Sequence, residues 1–248
     1  MFYRVDYILA LMAAGFLLGA LFSKKAENVP PHTLARAYYA AVASLMALRI
    51  AAYAWTTITT HAAFVGTVGS VIGDLSIVTF GAAFGLALRR HDARSFLTDR
   101  SLLDAFLLAL AFGFVLAGVA KTFAIAPMTE FFTQSDYSVP FLKFIIIAEI
   151  FGGLALLLPW ARIPAWTGLT IDMFGAVITH VHNGDPLNDS SGAIGMLIRL
   201  FAVAILFSLR PREREVAQPP LSRALFVAIG AAVVCLCIAL GGAVALRH

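Results

Sequence analysis

Charge is what this sequence has least of. Asp, Glu, Lys and Arg make up 13% of its 248 residues, about half the share usual in soluble domains, which leaves almost nothing for a soluble domain. Cysteine is nearly absent. The only two, Cys235 and Cys237, sit in the apolar run VVCLCIAL and lack C-x-x-C spacing, which argues against a dithiol redox pair. A cleavable leader is not evident, because the first apolar stretch opens with FYRVDY and ends in FSKK, with its positive charge mostly on the wrong side. What remains is apolar: 60% of the residues are hydrophobic and mean hydropathy is +0.88. The pI near 9.3 does not indicate a nucleic-acid partner, since the basic residues fall in short linkers between apolar runs.

A membrane-crossing helix needs about 20 mainly apolar residues. The pattern predicts about eight, at 7–23, 33–56, 63–88, 102–124, 139–159, 163–181, 191–209 and 221–246. The expected fold is therefore all-α, a polytopic membrane helix bundle in contact with the lipid bilayer. Alternate linkers differ in charge. SKKAENVPPHTLAR, RRHDARSFLTDR, ARIP and RPREREVAQPPLSR hold most of the basic residues, whereas TTITTHAAF, APMTEFFTQSDYS and HNGDPLNDSSG hold no Lys or Arg. By the positive-inside rule the first set faces the cytoplasm and both termini lie outside, as in a multi-pass protein of a bacterial-type inner membrane. Trp160 and Trp166 bracket one inner turn, and Tyr38 and Tyr39 open span 2 at the inner face. Glycines four apart, Gly15 and Gly19, Gly69 and Gly73, and Gly81 and Gly85, mark faces for close helix approach.

Against this background three charges stand out. Glu149, Asp172 and Arg199 each lie near the middle of one of three consecutive spans. Counted from the outer ends, all three are roughly 12–15 Å deep, near the midplane of a ~30 Å core. A charge there costs at least about 2.5 kcal/mol on insertion scales. The Arg199 guanidinium can serve one or both carboxylates, which still leaves one negative charge over. Lys121 and Lys143 are the further cations. Lys143 is six residues before Glu149 and off its face, so Lys121 on a neighbouring span is the better partner. Two readings fit: a structural ion-pair knot, or an outward-facing polar pocket for a ligand, ion, proton or quinone head group. A separate ion pair, Arg49 with Asp74, is expected to join spans 2 and 3.

Span 6 ends in THVHNGDPLND. On a helix His180 and His182 point about 200° apart and do not chelate one ion. An extended exit would let His180, His182 and Asp185 converge on a divalent metal; the plainer reading is a polar cap ended by Gly184 and Pro186. Asp189, Ser190 and Ser191 are N-cap candidates for span 7.

Spans 4–7 resemble the DoxX-like family of integral membrane proteins. The resemblance rests on AGVAKTFA and on VPFLKFIIIAEIFGGLALLLPWARIPAWTGLTIDMFGAVITHV, in which Gly118, Lys121, Glu149, Gly152, Gly153, Pro159, Thr179 and His180 carry the pattern. It implies a central four-helix unit. The chain then divides into residues 1–100, a three-helix segment; 101–210, the four-helix bundle; and 211–248, a last span. Founding members are associated with a thiosulfate–quinone oxidoreductase, and others look like maturation or assembly factors. With the buried charge set, the resemblance points to a quinone-linked redox subunit; Lys121, Glu149 and His180 match the family pattern, and Asp172, Arg199 and Lys143 join them by depth and charge as candidates for ligand binding or proton relay. A quinone is the implied cofactor, with haem or a divalent metal as alternatives, and a membrane or periplasmic protein the implied partner. A non-catalytic scaffold or assembly factor is the second reading and a small-solute or ion carrier the third. No residue is singled out as catalytic.

Overall fold

Long apolar runs have one way to satisfy their backbone in lipid, which is to hydrogen-bond within a helix. The computed structural model describes the backbone of residues 5–58, 62–88 and 90–209, and every regular element among them is a helix. These are α1 Val5–Ser23, α2 Pro31–Ile58, α3 Ala62–Ala87, α4 Ala93–Leu97, α5 Arg100–Phe123, α6 Ile125–Gln134, α7 Val139–Ala155, α8 Arg162–His182 and α9 Ser191–Leu209, the last preceded by a 3-10 turn, Leu187–Ser190. Helices thus occupy the positions of the first seven expected spans. Three stretches among the described residues are long and apolar enough to cross a membrane, Asp6–Ser23, Arg100–Phe123 and Leu187–Leu209. The eighth span, with Cys235 and Cys237, lies outside the described residues.

Two elements depart from expectation. The linker after span 4 contains α6, because Met128, Phe131 and Phe132 recur at helical spacing and bury against Tyr137, Leu142 and Ile146. Span 5 is shorter than expected: α7 ends at Ala155, and Leu156 to Trp160 turn instead.

The chain forms two compact units. Of the described residues, one comprises those up to 109 with 201–209, the other 110–200. In the first unit α1 and α3 meet backbone to backbone through glycine. A Cβ at Gly15 would run into the Val78 carbonyl and one at Gly19 into that of Ala82; on α3, Gly81 faces Met12 and Gly85 faces Phe16 in the same way. These two glycine pairs are the contact face of both helices, while the surroundings of Gly69 and Gly73 lie outside what is described. The core beside them is aromatic, with Phe80 tilted against Phe106 of α5 at 4.2 Å and Tyr38 stacked on the same ring at 6.0 Å. Tyr38 is therefore buried and not an interfacial anchor. Its hydroxyl donates to the Thr79 carbonyl at 2.6 Å, which satisfies the one polar atom that burial strands. Tyr39 remains exposed.

Asp74 accepts a hydrogen bond from Tyr7 of α1 at 2.8 Å, and its other oxygen is buried without a hydrogen-bond partner. Tyr7 is thus a partner of Asp74 that the sequence did not offer. Tyr7 lies on the helix that the glycines bring against α3, so glycine packing decides this contact.

One basic linker residue is not solvated. The Arg90 side chain is 1% exposed. It donates to the carbonyls of Ala26 and Val29 in the α1–α2 linker, and through Nε and Nη2 to Asp92 at 2.7 and 2.8 Å. These bonds hold the Asp92 carboxyl below the usual carboxylate range. Arg90→Ala should lower stability by about 2 kcal/mol, since hydrogen bonds to charged groups contribute about that much. A carboxyl whose pKa falls on folding stabilises above its unfolded value, about 3.9. The gap between wild type and Arg90→Ala should thus be full at neutral pH and narrow as acid protonates Asp92. Melting curves across that range test this; a gap that widens in acid would contradict it.

Candidate functional site

The second unit is also assembled through glycines. A Cβ at Gly118 of α5 would lie 2.6 Å from Ile150 and 2.9 Å from the Ile146 carbonyl; one at Gly153 of α7 would lie 2.9 Å from the Ala111 carbonyl, and one at Gly152 would press on Leu169 of α8 at 3.0 Å. Helices α5 and α7 therefore run antiparallel at close range. Gly118 lies one turn before Lys121 and Gly153 one turn after Glu149, so the close approach carries those two side chains together.

Their contact is bidentate. Lys121 Nζ donates to Glu149 Oε1 at 2.7 Å and Oε2 at 2.6 Å, with the Glu149 side chain 1% exposed and that of Lys121 24%. Such charge-assisted bonds are short and strong. The Gly152–Leu169 contact joins α7 to α8, and Glu149 and Asp172 each lie three residues from it toward the same end of the two helices, which sets Asp172 beside the pair; its Oδ2 is buried with no hydrogen-bond partner. Two carboxyls thus share the field of one ammonium.

Trp166 of α8 donates from Nε1 to the Leu200 carbonyl of α9 at 2.9 Å and joins the two helices. One contact of Arg199 is Nη1 to the Met196 sulfur at 3.7 Å, one turn along the same helix. Lys143 is exposed on α7. Of the expected set, the structure brings together Lys121, Glu149 and Asp172.

His180 is in the last turn of α8. Its Nδ1 lies 2.8 Å from Asp185 Oδ2 and its ring 5.2 Å from Phe131 of α6. Helix α8 ends in a Schellman turn: Asp185 N–H donates to the His180 carbonyl and Gly184 N–H to that of Val181, with Gly184 at φ 74°. His182 continues the helix on another face. Among the described residues no three His, Cys, Asp or Glu side chains gather where they could hold a metal ion. The Ser190 hydroxyl is buried without a partner and does not cap α9.

Three nearby residues carried no sequence signal. Tyr137 OH donates to Thr179 Oγ1 at 3.0 Å, and Thr179 in turn donates to the Gly175 carbonyl. Asn183 Nδ2 donates to Ser135 Oγ at 2.7 Å. These bonds tie the C-terminal end of α8 to the α6–α7 corner. Helix α6 itself was legible in the spacing of Met128, Phe131 and Phe132.

Fold and site together define an all-helical membrane protein with an ion pair and a second carboxyl set among its apolar helices. Residues 105–207 match the model of the DoxX-like family, so the stretch that holds the site is similar to that family, as its glycine, Lys121 and Glu149 pattern had indicated. Comparison with curated proteins and with solved structures gave no match.

Proposed function

We propose that the Lys121–Glu149–Asp172 site receives the head group of a quinone or quinol, which makes the chain a membrane subunit of a quinone-linked redox system. The observation that carries this reading is the buried, unpartnered Oδ2 of Asp172 beside an ammonium that spends two of its three donors on Glu149. A ring hydroxyl fits the free acceptor and a ring carbonyl fits the third Lys121 donor. Apolar walls with a few convergent polar groups are what such a ligand requires. In this reading the chain lies in a bacterial-type inner membrane with both termini outside, on the strength of its linker charges. Electrons come from or pass to a partner subunit.

The test is direct. Protein purified in mild detergent should carry quinone into an organic extract, and a short-chain quinone should raise its melting temperature. The shift should be lost in Asp172→Ala. No extracted quinone and no shift would end the proposal.

A second reading, a scaffold or assembly factor, has one observation in its favour. Gly168 and Gly175 on α8 have nothing within 4 Å of a built Cβ, on a face that also shows Ile171, Phe174 and Ile178. That face suits a partner helix. Gly175→Leu that releases a co-purifying membrane protein while leaving quinone binding intact would favour it.

A further inference from the structure

We propose that Asp172 is the group of this site that exchanges a proton with the bound head group, while Glu149 is reserved as the counter-ion of Lys121. The proposal rests on the quinone reading for its ligand, but the proton assignment stands on geometry alone.

The argument is one of charge balance. Charged groups without compensation are not stable among apolar helices. Lys121 supplies one positive charge and faces two carboxyls. Both of its short bonds go to Glu149, which is 1% exposed. Asp172 Oδ2 has no donor. The proton needed to balance the second carboxyl therefore belongs on Asp172. Among the described residues Lys143 is exposed on α7, His180 is paired with Asp185, and the Arg199 guanidinium lies against the Met196 sulfur.

A protonated Asp172 is a hydrogen-bond donor, and an ionised one only an acceptor. A quinone ring presents acceptors, so it suits the protonated form. A quinol ring presents hydroxyl donors, so it suits the ionised form. One side chain thus sets which redox state of the head group the site prefers, and pH sets the side chain. As pH rises and Asp172 ionises, preference moves from quinone to quinol.

Two measurements test this separately. Infrared difference spectra of the unliganded protein should show a protonated-carboxyl band. That band should shift on labelling with carboxyl-13C aspartate and not with labelled glutamate, and vanish in Asp172→Asn. A band that follows the glutamate label, or none, would overturn the assignment whether or not a quinone binds. Short-chain quinone and quinol analogues then test the consequence. The ratio Kd(quinol)/Kd(quinone) should fall with rising pH, by up to about tenfold per unit, and should be flat in Asp172→Asn. A slope that survives in Asp172→Asn refutes the role of Asp172. Binding of neither analogue by the wild type, with the aspartate band present, removes the quinone reading and leaves the proton on Asp172.

Discussion

Replacing Lys121 with methionine is expected to lower stability by about 3–5 kcal/mol, the penalty for leaving one member of a buried ion pair uncompensated. The stem of methionine retains most of the lysine packing, so the loss reports the charge. Glu149 is the member left behind, 1% exposed, and Lys143 is exposed on its own helix. The double variant Lys121→Met, Glu149→Leu should recover most of the loss, because two apolar side chains of similar volume replace the pair at little net cost. Asp172→Asn should differ from wild type by only about 1 kcal/mol or less, since its Oδ2 makes no bond to lose. Denaturation in mild detergent, followed by helical circular dichroism, would measure all of these. If Lys121→Met melts like wild type, the pair is solvated and the site is not the enclosed one described.

That contrast matters for function. A residue whose removal destabilises and a neighbour whose removal does not are doing different things in one site. Lys121 and Glu149 fix the geometry of α5 against α7, and Asp172 is left with chemistry to spare.

Much of this was readable in the sequence, for identifiable reasons. Helix positions were legible because lipid-length apolar runs admit one backbone solution. The pairing of Lys121 with Glu149 was legible because Gly118, Lys121, Glu149 and Gly153 lie at turn-length spacing on two neighbouring spans. The bond of Trp166 to Leu200 joins α8 to α9, a contact between distant residues with no local signal. Tyr38 shows the same limit, since an aromatic near a helix start reads equally as anchor or core. Only its neighbours Phe106 and Thr79 decide. Arg90 looked like one more topogenic charge until two linkers were seen to close over it.

The glycine faces of the first unit carry the other large prediction. Gly15→Val and Gly81→Val each place a Cβ against a backbone carbonyl of the facing helix, Val78 for the first and Met12 for the second. A flexible side chain can swing away from such an intruder; a helix backbone cannot. The helices must separate along their length, which forfeits the close packing that drives association where lipid offers no hydrophobic gain. The expected loss is about 3 kcal/mol for either change, at the upper end for overpacked cores. Separation would also draw Tyr7 away from Asp74, whose bond spans the same two helices. The double variant should lose much less than the sum, because the second valine enters a gap the first has already opened. Gly168→Val, with nothing within 4 Å of its Cβ, is the control and should stay within about 0.5 kcal/mol of wild type. Equal melting of Gly15→Val and Gly168→Val would mean that α1 and α3 do not meet through these glycines, and the Tyr7–Asp74 contact would fall with them.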